Sequence, residues 1–125
     1  MIEQLKAVSM TVSQEDINAY AKLTDDFNPL HVDPAFAAAT PMGNTIAHGT
    51  LSLNLIWQAL ARTFDSSLLN RLDLDVRFLK PLYAGGTITA GGQRNPDDPD
   101  QYDVWIKDQQ GTSLISGHIR LSHTK

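Results

Sequence analysis

The chain has 125 residues, of which 42% are hydrophobic and none is cysteine, and its formal net charge is −4. This length and hydrophobic content suit a single domain over residues 1–125, and the lack of cysteine excludes disulfides, thiolate zinc sites and cysteine nucleophiles. Because the chain is acidic and has neither a basic cluster nor an apolar run of membrane length, we expect a cytoplasmic protein with no nucleic-acid partner and no membrane partner.

The first predicted elements are a strand and a helix. Apolar positions roughly alternate from Leu5 to Val12, which is the period of a strand. Ser13 can then cap a helix whose third residue is Asp16. That helix must end near Thr24, because the turn before Pro29 cannot continue it.

A carboxylate and an imidazole stand close together after this helix, at Asp26 and His31. Side chains meet on a helix at three and four residues apart, and Pro29 would break a helix between them. We therefore expect the two groups to converge from a loop. Pro29 restricts Asn28 to extended geometry, and the Asn side chain can bond its own backbone, so this loop should be stiff. A stiff loop carrying both groups indicates acid–base chemistry.

Two further helices are predicted before the sheet. Asp33 and Pro34 form a cap-then-proline start for a short helix that runs to Ala39. A long helix follows from Gly49 to about Phe64, with apolar residues on nearly every side. A helix of this kind is usually fully buried.

The rest of the chain reads as antiparallel strands. Residues 72–78 alternate apolar and charged side chains, the period of a strand with one wet face. Three more strands are predicted at Thr87–Gln93, Tyr102–Asp108 and Ser113–Leu121, the first two joined by a polar turn from Asn95 to Gln101. One long buried helix with a run of hairpin-connected strands is an α+β layout.

The run Asp26-Phe27-Asn28-Pro29-Leu30-His31, followed by His48-Gly49, resembles the hydratase motif of the MaoC-like (R)-specific enoyl-CoA hydratases. The resemblance implies a hot dog fold, in which an antiparallel sheet wraps around a long central helix. It also implies a homodimer or a higher even oligomer. One departure is Asp25, where the family commonly has Gly, which places a second negative charge beside the proposed base.

The same resemblance implies a lyase that hydrates trans-2-enoyl thioesters to (R)-3-hydroxyacyl thioesters, or catalyses the reverse dehydration. Asp26 and His31 would hold a water molecule, with Asp26 withdrawing a proton as the water attacks the β-carbon. The pair would then supply a proton to the α-carbon, which is general acid–base catalysis. No cofactor is expected beyond the coenzyme A or acyl-carrier-protein handle of the thioester substrate.

Supporting roles are expected for residues around this pair. Gly49 follows His48 at the predicted start of the long helix, where free N–H groups and the positive end of the helix dipole favour an oxyanion hole. Asn28 is expected to orient the loop or the imidazole. His48 either lines the pocket or satisfies a buried hydrogen bond, and Thr50 is a further substrate-binding or supporting candidate.

A metal site is the alternative use of these side chains. Asp26, His31, Asp33 and His48 carry the carboxylate and imidazole groups of a mixed ligand set. Their spacing matches no familiar ligand signature, and hydration of an enoyl thioester needs no metal where an oxyanion hole stabilises the enolate. We therefore expect no metal.

Two other functions remain open at this point. One is thioester hydrolysis on the same fold, in which a carboxylate near the helix start directs water to the carbonyl. The other is a non-catalytic acyl-thioester-binding subunit of a heterodimer, which is expected to have lost the Asp or the His. This chain retains both Asp26 and His31.

Overall fold

The computed structural model describes residues 2–122. Within this range the chain forms ten elements in the order β1 (Val8–Thr11), α1 (Gln14–Thr24), α2 (Pro29–Val32), α3 (Pro34–Ala38), α4 (Gly49–Thr63), α5 (Ser66–Leu69), β2 (Leu72–Phe78), β3 (Thr87–Asn95), β4 (Asp98–Asp108) and β5 (Ser113–Leu121). No helix in the described range is both long and apolar enough to cross a membrane.

The strands form one sheet in the order β1-β3-β4-β5-β2, and each neighbouring pair is antiparallel. Helix α4 packs against β1, β3 and β4. The expected α+β layout and hot dog fold, with an antiparallel sheet around a long central helix, are thereby confirmed.

Helix α4 is buried on one side and not all round. Leu55, Ile56, Ala59 and Leu60 are almost fully buried, whereas Trp57 is 37% exposed. The prediction of a fully buried helix is therefore wrong. A single five-stranded sheet covers one face of a helix, so the opposite face of α4 stays partly open in this chain.

Helix α1 begins and ends where the sequence predicts. The Ser13 side chain accepts a hydrogen bond from the Asp16 N–H, and the Asp16 side chain accepts one from the Ser13 N–H, which completes a capping box. After Thr24, Asp25 takes the left-handed conformation, with φ 56° and ψ 39°. The chain therefore turns at Asp25, and Asp26 lies beside the C-terminal end of α1.

The β3–β4 hairpin is tighter than expected. Asn95 pairs with Asp98, so the connection is a two-residue turn and the predicted loop from Asn95 to Gln101 is wrong. The Asn95 side chain stabilises the turn by accepting a hydrogen bond from the Asp97 N–H at 2.8 Å. Strand β4 still includes residues 98–101, whose composition is typical of a loop, because Asp98 pairs with Asn95 across a register shift and Gln101 pairs with Arg120.

Candidate active site

Asp26 lies just beyond the C-terminus of α1. Its backbone N–H donates to the carbonyl of Ala21 at 3.0 Å, which anchors the residue to the last turn of the helix. Its carboxylate oxygen Oδ1 accepts from the Asn28 N–H at 3.3 Å. The side chain is 52% exposed, so the carboxylate is open to water.

His31 lies on the short helix α2 and not in a loop as expected. Pro29 occupies the first turn of α2, where its missing N–H costs no hydrogen bond, and this is why it starts a helix here. Asn28 caps α2, because its side-chain oxygen accepts from the Leu30 N–H at 3.0 Å. The supporting role expected of Asn28 thus has a structural counterpart in this cap.

The His31 ring is fixed by the chain that precedes α4. Its Nδ1 lies 2.8 Å from the carbonyl oxygen of Ile46, and the Ile46 N–H donates in return to the carbonyl of Leu30 at 3.0 Å. Because a carbonyl only accepts, Nδ1 carries the proton, and Nε2 of the neutral ring is left with a lone pair. His31 therefore offers Nε2 as a proton acceptor.

His48, the residue before α4, joins this pair. Its Nε2 lies 3.0 Å from the backbone oxygen of Asp26 and 4.0 Å from a carboxylate oxygen of the same residue. Its ring stacks on that of His31 with centroids 3.9 Å apart and planes inclined by 26°. The structure thus gives His48 the buried hydrogen bond that was one of its two expected roles.

Thr50 lies near the start of α4 and is tied to α1. Its Oγ1 accepts a hydrogen bond from the Tyr20 hydroxyl at 2.7 Å. The Tyr20 ring in turn meets the His48 ring edge to face, with centroids 5.0 Å apart. Thr50 is therefore linked to the His48 ring through Tyr20.

One ligand-type atom from each of Asp26, His31 and His48 lies within 4.8 Å of the others, whereas Asp33 is used elsewhere as the cap of α3. Few of these nitrogen and oxygen atoms are free to coordinate a cation. His31 Nδ1 and His48 Nε2 already bond carbonyl oxygens, and His48 Nδ1 is buried, so the Asp26 carboxylate and His31 Nε2 remain. Two such groups suit a grip on one water molecule better than a metal cage.

A cavity of about 330 Å³ adjoins the site. His31 and Gly49 line it, and its other walls are largely apolar, including Ala47, Phe78, Leu82, Leu114 and Ile115. Asp26 lies outside this lining, and its side chain is 52% exposed. The cavity therefore places a largely apolar space beside His31, and the Asp26 carboxylate lies near the same residue.

Gly49 begins α4, at the helix start that the sequence predicts. Within the described residues its N–H has no backbone partner, since the first bonds to the His48 carbonyl come from Leu51 and Ser52. A β-carbon on Gly49 would lie 2.9 Å from the ring of Phe78, so a larger residue here would displace that exposed ring. The sequence indicated the helix start but not Phe78, because an alternating strand pattern does not say what the last residue touches.

Comparisons with known proteins agree with this geometry. The family model described as "MaoC like domain" matches residues 2–108. The chain is similar to an (R)-specific enoyl-CoA hydratase of Aeromonas caviae, at 34% identity over 89 residues, covering 71% of this chain and 66% of that enzyme. It is also similar to 3-hydroxyacyl-thioester dehydratase Z of Mycobacterium tuberculosis, at 49% identity over 47 residues, covering 38% of this chain and 31% of that protein.

A solved structure extends the likeness over the whole fold. The (R)-hydratase from A. caviae involved in PHA biosynthesis superposes with a TM-score of 0.76 at 29% identity, covering 97% of this chain and 96% of that one. The sequence matches themselves span less than two thirds of the length of these curated relatives, at 66% and 31%.

Proposed function

This chain belongs to the MaoC-like domain family, and from that premise we propose that it is a hydro-lyase acting on acyl thioesters. It adds water to a trans-2-enoyl thioester to give the (R)-3-hydroxyacyl thioester, or removes water in the reverse direction. The observation that carries the proposal is the convergence of Asp26 and His31 within 4.8 Å, beside an apolar cavity. Both curated relatives named above are enzymes of this reaction class.

The two groups share one water molecule in the proposed mechanism. The water donates hydrogen bonds to the Asp26 carboxylate and to the lone pair of His31 Nε2. As its oxygen bonds to the β-carbon, one water proton passes to this pair. A proton from the pair then bonds to the α-carbon, so the product gains the elements of water and the enzyme returns to its starting state.

Gly49 stabilises the intermediate. Attack at the β-carbon moves negative charge to the thioester oxygen, which becomes an enolate. The Gly49 N–H, which has no backbone partner among the described residues, lies at the positive end of α4, and Gly49 lines the cavity, so this N–H can donate to that oxygen. The acyl chain occupies the apolar part of the cavity, and the coenzyme A or acyl-carrier-protein handle extends towards solvent.

A homodimer or higher even oligomer in the cytoplasm completes the proposal. Phe78 and Leu79 line the cavity yet are 56% and 52% exposed. Large apolar side chains at this exposure are typical of surfaces that a partner covers. A second copy of the chain would cover them and close the cavity wall.

Thioester hydrolysis on the same fold needs a carboxylate near the start of the central helix. Helix α4 has no acidic residue of its own in its first turn, and the carboxylate nearest to its N-cap, that of Asp26, also has His31 as a neighbour within 4.8 Å, which favours hydration. A non-catalytic binding subunit should lack one member of the pair, and both are present. Hydration is therefore the better supported reaction.

Purified protein and crotonyl-CoA separate these functions. Loss of enoyl absorbance without release of free thiol is the expected result. Free thiol would identify a thioesterase and overturn the proposal. Unchanged substrate, together with binding of crotonyl-CoA, would identify a non-catalytic subunit.

A further inference from the structure

We propose that His48 is a positioning residue that sets the relative placement of the Asp26 backbone and the His31 ring. The inference rests on the proposed hydration at this site. It assigns a definite task to a side chain that does not line the cavity and touches no substrate in the mechanism above.

The first observation is the hydrogen bond to Asp26. His48 Nε2 lies 3.0 Å from the Asp26 carbonyl oxygen, so Nε2 carries the proton and donates. The residue is only 4% exposed. A bond shielded from water in this way holds the backbone that carries the carboxylate at a fixed distance from α4.

The second observation is the stack with His31. Within residues 2–122 the His31 ring has one hydrogen bond, from Nδ1 to the Ile46 carbonyl at 2.8 Å, and a single bond leaves the ring free to tilt about it. The face of His48 lies against it at 3.9 Å between centroids. This contact fixes the plane of His31 and therefore the direction of its Nε2 lone pair.

The His48 ring is itself clamped. Tyr20 meets it edge to face at 5.0 Å, and the Tyr20 hydroxyl is tied to Thr50 of α4 at 2.7 Å. The buried His48 ring is therefore held between Tyr20 of α1 and His31 of α2, and it also bonds the Asp26 carbonyl just beyond α1. The relative placement of the acid and the imidazole depends on this ring.

Helix capping does not explain His48. It occupies the N-cap position of α4, but its side chain makes no capping hydrogen bond. Its Nδ1 is buried without a hydrogen-bond partner in the described part of the chain, which is a cost to folding and not a gain. The capping of α4 therefore does not account for this side chain.

Three variants separate the effect of the hydrogen bond to Asp26 from that of the stack on His31. His48→Gln keeps a side-chain N–H donor and loses the ring, His48→Phe keeps a ring and loses the donor, and His48→Leu loses both. We expect kcat for crotonyl-CoA hydration to fall about a hundredfold in His48→Leu and by less in the other two, because displacing reacting groups by about 1 Å costs on the order of a hundredfold. KM should change much less than kcat, and the pH profile of kcat/KM should change shape.

His118→Leu is the matched control, because His118 lies on β5 and outside the site. A purely structural role for His48 would lower the melting temperature and leave kcat and the pH profile of the folded enzyme at wild-type values. That result in an active wild-type enzyme would overturn the inference. A wild-type protein without hydratase activity would instead overturn the proposed function.

Nitrogen NMR of the wild-type protein tests the same geometry without any variant. The imidazole signals should show the proton of neutral His48 on Nε2 and that of neutral His31 on Nδ1. A His48 ring protonated on Nδ1 alone could not donate to Asp26, and the inference would then be wrong.

Discussion

Asp25 combines a negative charge with a left-handed backbone conformation. Its φ of 56° lies in the left-handed region, where a residue with a β-carbon pays about 1–2 kcal/mol. Asp tolerates this conformation better than most residues, and Gly adopts it freely. The glycine that the family commonly has at this position is therefore explained by the turn that ends α1.

Replacing Asp25 with Gly should raise the free energy of unfolding by about 1 kcal/mol or less, because the strain is relieved while the chain keeps its path. Denaturation with urea measures this, and Asp25→Ala is the control that keeps a β-carbon and gains nothing. The hydration rate should stay within about threefold of the wild type. A large loss of rate in Asp25→Gly would mean that the Asp25 carboxylate takes part in the chemistry.

Gly49 and Phe78 should act as a steric pair. In Gly49→Ala the new β-carbon would push against the Phe78 ring, which is partly exposed and can move into the cavity. We expect a protein that folds but has kcat/KM reduced about tenfold or more. Phe78→Ala in the same chain removes the obstacle and should recover part of the loss.

A double-mutant cycle on crotonyl-CoA kinetics measures this coupling. If the two losses simply add, the Phe78 ring is not the reason for glycine at position 49. The backbone N–H would then be the remaining explanation, since alanine retains the N–H but changes its surroundings.

Residues with chemistry were easier to predict from the sequence than residues with purely spatial roles. Asp26, His31 and Gly49 belong to a motif with a mechanism, and the structure places His31 near Asp26 on one side and in the same cavity wall as Gly49 on the other. The stack of His48 on His31 joins residues from two elements, so no local pattern indicates it. The packing of Phe78 on Gly49 is hidden from the sequence for the same reason.

At the scale of elements, Pro29 starts helix α2, where the sequence analysis predicted a loop. Proline in the middle of a helix breaks it, but proline in the first turn favours a helix. Asn28 favours the helix because its side chain caps α2. The sequence already indicated that this side chain can bond its own backbone. Helix α1 was predicted well because its cap and stop signals agreed.

The cap of α2 makes a test of how that helix positions His31. Asn28→Ala removes the acceptor of the Leu30 N–H and should cost about 1 kcal/mol of stability. It should also lower kcat about tenfold, because His31 lies on α2. Asn28→Asp keeps an acceptor oxygen and should restore most of the activity.

Asn95→Ala is the matched control for this variant. Asn95 accepts a backbone N–H in the β3–β4 turn with the same geometry, but it lies outside the site. Its loss should lower the melting temperature and leave kcat unchanged. If Asn28→Ala behaved in the same way, α2 would have only a structural role.

At the scale of the whole molecule, the apolar surfaces that the chain leaves exposed bear on the proposed assembly. The sheet covers one side of α4, while Trp57 on α4 and Phe78 and Leu79 beside the cavity remain exposed. The apolar pattern of α4 predicted burial on every side, because sequence periodicity does not distinguish burial within a chain from burial by a partner. The proposed second copy is the physical reason for an apolar surface of this kind.

Sedimentation equilibrium of the purified chain tests that proposal. We expect the mass of a dimer or a higher even oligomer at micromolar protein. Leu79→Asp would place a charge in the contact and should shift the mass towards the monomer, with the hydration rate falling in parallel. A wild-type chain that sediments as an active monomer would contradict the proposed assembly.

The central claim is that the Asp26 carboxylate and the His31 imidazole activate one water molecule. Its most direct test compares crotonyl-CoA hydration by Asp26→Asn with hydration by Asp25→Asn, a matched change at the neighbouring residue. We predict a loss of about 10²–10⁴-fold in kcat for Asp26→Asn, with folding preserved, and only a small change for Asp25→Asn. Wild-type turnover in Asp26→Asn would contradict the account.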